Sequence, residues 1–226
     1  MMNRIAILVG GALGAASFCF AGTSQAIFAF SPSGSQQLIL NGGDTVLDAT
    51  NTGWYDQTGF SENAGNYIAG VCGSSDACVG DNLDANDYFV FDLSDVSGAI
   101  TSAELSIGNP TSGYISPNPS ETFNVWDVST PISTLIASNT GQVGIYNDLG
   151  SGNLYGSTSV SLADDGNQVL VNLGAQALAD IQAAEGNSFA VGGEVDPAGV
   201  PEPTSMLLLG AGLAALMTVG RRLRTN

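Results

Sequence analysis

The sequence contains no histidine and no lysine, and its net charge at pH 7 is −17. The four basic residues all lie near the two ends of the chain: Arg4, Arg221, Arg222 and Arg224. Residues 27–198 therefore carry no basic side chain, although all but one of the 21 acidic residues lie there. No ion pair between side chains can form in this span, so its carboxylates must be solvated, hydrogen-bonded or neutralised by cations.

These absences exclude several kinds of chemistry from residues 27–198. Catalytic triads and Cys–His pairs need an imidazole, and Schiff-base catalysis needs a lysine amine. Nucleic acids bind mainly through Lys and Arg, so we expect no nucleic-acid partner for so acidic a span. The usual zinc sites need His or several thiolates. Carboxylate-pair hydrolysis and calcium binding, which use Asp and Glu, remain open.

The first 26 residues have the features of a signal peptide for the Sec export machinery. Arg4 is followed by an apolar segment that extends to Phe20, and small residues stand at Ser24 and Ala26. This order predicts cleavage after Ala26, with cleavage after Ala21 as the alternative. Removal of residues 1–26 would leave a single domain over residues 27–198, a length that suits one hydrophobic core.

The last residues, 199–226, combine three features in a fixed order. An apolar segment of 15 residues, Met206–Gly220, is preceded by a Pro-Glu-Pro triplet and followed by a basic tail. The triplet is Pro201, Glu202 and Pro203, and the tail contains Arg221, Arg222 and Arg224. With Thr204 and Ser205 the segment reaches the roughly 17 residues that a transmembrane helix needs. The arginines would then stay on the cytoplasmic side.

This order of triplet, apolar segment and basic tail resembles the PEP-CTERM sorting signal of exported bacterial proteins. The resemblance implies a precursor held in the inner membrane until an exosortase, a membrane cysteine protease, cuts near the triplet. The mature protein would then reach the cell surface or the extracellular space. Because such proteins are associated with exopolysaccharide production, the resemblance also implies a role in the extracellular matrix. An ordinary tail anchor is the alternative.

Short apolar runs separated by turn residues predict an all-β domain between these two segments. Ala103, Leu105 and Ile107 alternate with polar residues, as in a strand with one wet face, whereas Tyr88–Phe91 is continuously apolar and predicts a central strand. One helix is expected, over Ala175–Glu185. The predicted strands are Gln37–Leu40, Thr45–Asp48, Tyr67–Val71, Tyr88–Leu93, Ala103–Ile107, Thr122–Val128, Thr134–Ala137, Ser157–Leu162, Val169–Leu173 and Ser188–Gly192. We expect a β-sandwich of jelly-roll type.

Residues Tyr88–Pro110 are similar to a strand-turn-strand segment of exported bacterial β-sandwich modules, whose related domains are grouped with carbohydrate-binding modules and with domains of unknown function. Three later segments extend the resemblance: Gly144–Gly150, Leu178–Ile181 and Phe189–Gly193. The matching residues are mostly those of cores and turns. The resemblance therefore implies a fold and carries over no catalytic residue.

Cys72 and Cys78 are the two cysteines that remain after removal of the signal peptide. The five residues between them allow the sulfurs to meet, and an exported protein encounters oxidising conditions. We expect a disulfide at a loop tip that contributes about 2 kcal/mol. Two free thiols are the alternative.

The densest acidic stretch contains Asp81, Asp84 and Asp87 together with two asparagines. Oxygen ligands on a loop suit calcium, although the spacing is not that of an EF-hand. This stretch predicts calcium as the one candidate cofactor. Solvated turn residues that cap local N–H groups are the alternative.

Two sets of residues, one aromatic and one acidic, are candidates for binding or cleaving a sugar. Trp54 and Tyr55 lie among turn-forming residues and predict an exposed platform for sugar stacking, whereas Trp126, inside a predicted strand, is expected in the core. No spacing selects a catalytic pair among the glutamates Glu62, Glu104, Glu121, Glu185 and Glu194. We therefore expect a non-catalytic surface or matrix protein, a structural or binding module associated with exopolysaccharide. A carboxylate-pair hydrolase and a calcium-dependent adhesion module are the alternatives.

Overall fold

The structure is a computed structural model that describes residues 27–30, 36–61, 65–71, 83–116, 118–137 and 140–196, with side chains from residue 36 onward. The strands of this part of the chain are β1 Ile27–Phe30, β2 Gln37–Leu40, β3 Thr45–Asp56, β4 Tyr67–Val71, β5 Asp84–Asp92, β6 Ala103–Gly108, β7 Tyr114–Ile115, β8 Ser120–Asp127, β9 Leu154–Ser161, β10 Gln168–Leu173 and β11 Ser188–Asp196. The α-helices are α1 Ile132–Leu135, α2 Val143–Leu149 and α3 Ala175–Ala183.

The strands form one antiparallel sheet in the order β10-β6-β2-β3-β5-β11-β8-β9. Beside this path, β4 pairs with the start of β5, and β1 pairs with both β4 and β7. β3 pairs first with β2 and then with β5, and its register shifts between Ala49 and Asn51, where a bulge bends the strand. The two ends of the path meet, because the N–H of Gly174 donates to the carbonyl of Tyr155 at 2.7 Å. The sheet is thus folded over on itself.

The inner faces of the two halves enclose one apolar core. Its members include Leu38, Leu105 and Val171 from one half and Phe89, Phe123 and Val191 from the other. The apolar side of α3 joins the same core through Ala177 and Ile181, both 0% exposed. Removal of these side chains from water supplies the main driving force for folding.

The outer face of β5 is also buried, as the apolar run Tyr88–Phe91 predicted. The connection between β8 and β9, called the helical connection below, contains α1 and α2 and folds over this face. Leu135, Ile145 and Leu149 of the connection pack against Tyr88 and Val90. The buried hydroxyl of Tyr55 lies 2.9 Å from the carbonyl of Leu135 and 3.0 Å from that of Ala137. Strand β5 therefore has a covered outer side and an inner side in the core.

The all-β class is confirmed, and the jelly-roll connectivity stays a prediction. The predicted strand Thr134–Ala137 is wrong, because these residues belong to α1 and the turn that ends it. Pro131 precedes the helix, and its carbonyl accepts the N–H groups of Thr134 and Leu135 at 2.8 and 2.9 Å. Sequence reasoning also missed α2, where Ile145 and Leu149 stand four residues apart on the buried side.

Several predictions lie outside the described residues and stay predictions. They concern the signal peptide 1–26, the Cys72–Cys78 disulfide, Asp81, and the apolar segment of the tail. The boundaries of the domain at 27–198 are untested for the same reason. Among the described residues, every helix is too short or too polar to cross a membrane.

Candidate binding face and its acidic border

Three neighbouring strands, β11, β8 and β9, present side chains on the outer side of the sheet next to the helical connection. The registers place these side chains in lateral rows across the strands. We call the set the open face: Trp126, Leu154, Asn124, Ser157, Thr122, Ser159, Glu194 and Asp196. Each of these side chains is exposed or half-buried. The open face is therefore a solvent-accessible, mostly polar surface that contains one large aromatic ring.

Neighbouring side chains fix the positions of the groups on the open face. The indole N–H of Trp126 donates to Glu194 Oε2 at 3.1 Å, and the hydroxyl of Ser157 donates to Asn124 Oδ1 at 2.7 Å. Trp126 and Glu194 lie on different strands, β8 and β11, which are themselves hydrogen-bonded partners. The indole ring is thus already oriented before a ligand binds, so binding would cost little side-chain entropy.

A second group of polar residues lies where the open face meets α2. Its members, called the acidic border, are Asp84, Asn86, Tyr146 and Glu194. The hydroxyl of Tyr146 donates to Asp84 Oδ2 at 2.7 Å, and Asn86 Nδ2 donates to the carbonyl of Tyr146 at 3.0 Å. The chain at Gly150 runs close to this group, because a Cβ there would lie 2.6 Å from Asn86 Nδ2 and 3.5 Å from the carboxyl carbon of Glu194. The end of α2 therefore packs directly against the acidic border.

The carboxyl groups of the acidic border hold their protons more tightly than free carboxyls do. Burial raises the pKa of Asp84, and hydrogen bonds from Tyr146 and the N–H of Ala85 offset part of that effect. Burial also raises the pKa of Glu194, where the Trp126 bond acts in the opposite direction and the charges of Asp196 and Asp84 add to the increase. Without a cation nearby, these carboxylates raise each other's pKa.

The structure corrects the predicted sugar platform at Trp54 and Tyr55. Both lie in the long strand β3 and are buried, at 1% and 0% exposure. Trp54 is the cross-strand neighbour of Asp87 on the inner side, and its ring centroid lies 5.9 Å from that of Phe60. The turn-forming residues around the pair had suggested a loop, but they continue the strand. The half-buried Trp126, which was expected in the core, occupies the open face instead.

The structure also corrects the prediction that Asp84 and Asp87, the two described residues of the predicted calcium site, bind one cation together. Asp84 and Asp87 stand three residues apart on β5, so their side chains leave opposite faces of the sheet. Asp84 contacts Tyr146 on the outer side, and Asp87 is 0% exposed on the inner side, where it would overlap a Cβ at Gly193. The two carboxylates cannot share one cation. Among the residues that the structure describes, no group of three or more Asp, Glu, His or Cys is placed to hold a metal.

Among the glutamates considered for a catalytic pair, only Glu194 lies beside another acid of raised pKa. Glu121 is buried, and its Oε1 accepts from the Ser116 hydroxyl at 2.5 Å and from Asn118 Nδ2 at 2.7 Å, which is a structural role. Glu62 lies outside the described residues. The partnership of Glu194 with Asp84 could not be read from the sequence, because the two are brought together by pairing of β5 with β11.

Comparison with known families identifies one segment of the chain. Residues 199–224 match the PEP-CTERM protein-sorting motif, as the order of triplet, apolar segment and arginines predicted. The motif indicates a membrane-anchored precursor that an exosortase processes and that is exported to the cell surface. No curated protein matches the chain.

Proposed function

We propose that the protein is exported through the Sec machinery, processed by exosortase, and then acts as a non-catalytic module that binds extracellular polysaccharide. The sorting motif supports the destination. The observation that carries the binding role is the open face, where Glu194 of β11 orients the half-buried ring of Trp126 of β8. The resemblance of Tyr88–Pro110 to segments of carbohydrate-binding modules agrees with this role.

The open face offers the two kinds of contact that a sugar chain needs. The apolar C–H side of a sugar ring can pack on the indole of Trp126, and its hydroxyls can bond to Glu194, Asn124 and Ser157 in the next row. The lateral rows of side chains across three strands suit an extended chain. Because residues 27–198 carry only acidic charge, they repel polyanions, and we propose a neutral polysaccharide as the ligand.

Binding of the full chain to immobilised neutral polysaccharides tests this proposal. The protein should be held in a detergent without a sugar headgroup, so that the detergent does not compete. Trp126→Ala should weaken binding at least tenfold, since it removes the stacking surface. Val46→Ala, which changes a 48% exposed side chain on the part of β3 that pairs with β2, should leave binding unchanged. Equal binding by the Trp126→Ala variant and the parent would refute the proposed site.

A second candidate function, carboxylate-pair hydrolysis, is favoured by one observation. Asp84 and Glu194 both have a raised pKa, and the charge of Asp84 contributes to that of Glu194. Glycosidases use such pairs, with one carboxyl protonated and the other ionised. Release of reducing ends from a bound polysaccharide, abolished by Glu194→Gln, would establish the hydrolase. Binding without any release favours the non-catalytic module.

Mass spectrometry of the exported protein tests the sorting part of the proposal separately. The expected species begins near Ile27 and ends near the Pro-Glu-Pro triplet at 201–203. Replacement of the triplet by Ala-Ala-Ala should leave an unprocessed, membrane-bound precursor. An exported protein with its tail intact through Asn226 would contradict exosortase processing.

A further inference from the structure

A polar groove of about 310 Å³ lies where β8, β9 and β11 end near α3. Its size is at the lower end of the range for small-ligand sites. The residues that matter for its chemistry are Asp127, Asn153, Tyr155, Gln176, Asp180 and Phe189. None of them was singled out as a site residue by the sequence, because they come from four separate elements and loops.

The floor of the groove is rigid. The rings of Tyr155 and Phe189 stack with their centroids 6.1 Å apart and an interplanar angle of 22°, and both side chains are buried. The hydroxyl of Tyr155 donates to Asp180 Oδ2 at 2.8 Å, which ties β9 to α3. Burial and the charges of Asp180 and Asp127 raise the pKa of Tyr155, so this hydroxyl remains a neutral donor.

The two carboxylates on the walls are held in place by uncharged donors. Asp127 accepts from the backbone N–H of Asn153 at 2.7 Å and from its Nδ2 at 2.9 Å. Gln176 Nε2 lies 3.1 Å from both oxygens of Asp180. Gly152, with φ of +107°, allows the approach to Asp127, because a Cβ at this position would overlap the carboxylate. Both carboxylates are thus oriented before any ligand arrives.

The groove offers more hydrogen-bond acceptors than donors. The donors named above bond to Asp127 and Asp180, although the Asn153 amide keeps a second N–H and the Ser188 hydroxyl also lines the groove. A carboxylate offers about four acceptor positions, so the acceptors of the groove still outnumber its donors. The amide oxygens of Asn153 and Gln176 are further acceptors. A ligand for this groove must therefore bring hydrogen-bond donors. It must also carry no negative charge, since no basic residue exists in residues 27–198.

We infer that the groove binds one sugar unit of a neutral polysaccharide through adjacent hydroxyl groups that donate to Asp127 and Asp180. The inference rests on the proposed function for its class of ligand and adds a second contact to the open face. Asp127 follows Trp126 on β8, although successive side chains of a strand point to opposite faces. The groove is also lined by Val128, Ile132 and Ala190, which belong to the apolar cluster of the outer side. A sugar chain that crosses this end of the sheet can thus contact both sites.

Nuclear magnetic resonance of the ¹⁵N-labelled full chain, in the same sugar-free detergent, can observe the two sites separately. The probes are neutral hexasaccharides of glucose, mannose and galactose. The indole signal of Trp126 reports on the open face, and the side-chain amide signals of Asn153 and Gln176 report on the groove. The only other tryptophan, Trp54, is 1% exposed and serves as an internal control. We expect one hexasaccharide to shift the Trp126, Asn153 and Gln176 signals together.

A variant and its matched control test whether the carboxylate of Asp180 contributes to the affinity. Asp180→Asn removes a charged acceptor and should weaken the affinity about tenfold, as expected for one hydrogen bond to a charged group. Asp95→Asn makes the same change at an exposed position that does not line the groove, and should leave the affinity unchanged. An unshifted Trp54 signal in each variant shows that the fold is intact.

The outcomes distinguish this inference from the proposed function. Shifts at Trp126 alone would overturn the groove and leave the open face as the binding site. No shift at any of these signals with any of the three sugars would overturn both. If calcium chloride alone saturates the shifts of Asn153 and Gln176, the groove is a cation site and the inference is wrong.

Discussion

Asp84 and Asp87 lie on the same strand, but their carboxyl groups differ in whether they have hydrogen-bond partners. Asp84 lies on the outer side of β5, where the helical connection brings the Tyr146 hydroxyl to 2.7 Å. Asp87 lies on the inner side and is 0% exposed, and neither of its oxygens has a hydrogen-bond partner in the described part of the chain. In a domain without basic residues, a carboxylate depends on neutral donors. The outer side supplies them and the inner side does not.

The inner side therefore disfavours the charged form of Asp87. Burial raises the pKa of Asp87 well above its ordinary value. The indole N–H of its cross-strand neighbour Trp54 and Nε2 of Gln36 are also buried without a partner among the described residues. Such groups cost about 1–3 kcal/mol each when they are left unsatisfied. The outer side carries the proposed binding face, and the inner side contributes apolar packing at some polar cost.

The largest effect should come from removing the cover of the outer side. Leu149→Ala deletes a 0% exposed side chain that holds α2 on the sheet, and we expect the free energy of unfolding to fall by about 2–5 kcal/mol. Chemical denaturation of the full chain measures this. Leu154→Ala, at a 49% exposed position of the open face, should change stability by no more than about 0.5 kcal/mol. Equal losses would show that the two parts of the outer side do not differ in packing.

A methyl group added on the inner side tests how tightly that side is packed. A Cβ at Gly193 would overlap Asp87 Oδ1 and the ring of Phe123, so Gly193→Ala should cost about 3 kcal/mol. Gly144→Ala places the same methyl group on α2, where no atom lies within 4 Å, and should stabilise the protein by about 0.5–1 kcal/mol. Thermal unfolding of the two variants gives the comparison. A neutral result for Gly193→Ala would show that Asp87 and Phe123 can move apart.

The unpartnered carboxyl predicts a pH dependence of stability with a definite sign. Because the folded-state pKa of Asp87 lies above the unfolded value of about 3.9, its contribution is most favourable below pH 4 and declines as pH rises through the folded-state pKa. Asp87→Asn keeps the size and cannot ionise, so it should raise the free energy of unfolding at pH 7 by about 1.4 kcal/mol for each unit by which folding raises the Asp87 pKa. Denaturation at pH 4, 5.5 and 7 should show the gain growing with pH.

The exposed Asp95→Asn serves as the control for that pH series and should show no such growth. If Asp87→Asn destabilises the protein equally at all three pH values, the carboxyl is not the source of the dependence.

The difference between the two sides of β5 was partly readable from the sequence. The continuous run Tyr88–Phe91 predicted burial on both faces, because a strand with one wet face alternates. Period-two alternation likewise located β6 and β10. The helical connection was harder to see, since its helices are short and Gly144 lowers the helix propensity of α2.

The binding surfaces depend on pairings between distant strands, and no local pattern reports these. Trp126 meets Glu194 only because β8 pairs with β11, and Trp54 is buried only because β3 continues past its bulge into the second half of the sheet. Period-two parity along β5 could have placed Asp84 and Asp87 on opposite faces, but the strand was predicted to begin only at Tyr88, so the polar residues before it resembled a loop. Local composition thus identified the strands, and the sheet order determined the sites.

The smallest effect should come from the donor that distinguishes Asp84 from Asp87. Tyr146→Phe removes the hydroxyl that donates to Asp84, and we expect a loss of about 1 kcal/mol at pH 7. This bond lowers the Asp84 pKa against the effect of burial, so the variant should have a still higher Asp84 pKa. The loss should therefore shrink as pH falls and Asp84 becomes protonated in both proteins. Tyr114→Phe removes a hydroxyl that donates to the carbonyl of Asn118 at 2.8 Å, an acceptor that does not titrate near neutral pH. Its loss should be nearly the same at pH 4 and pH 7, and the same behaviour in Tyr146→Phe would mean that the Asp84 bond does not depend on ionisation.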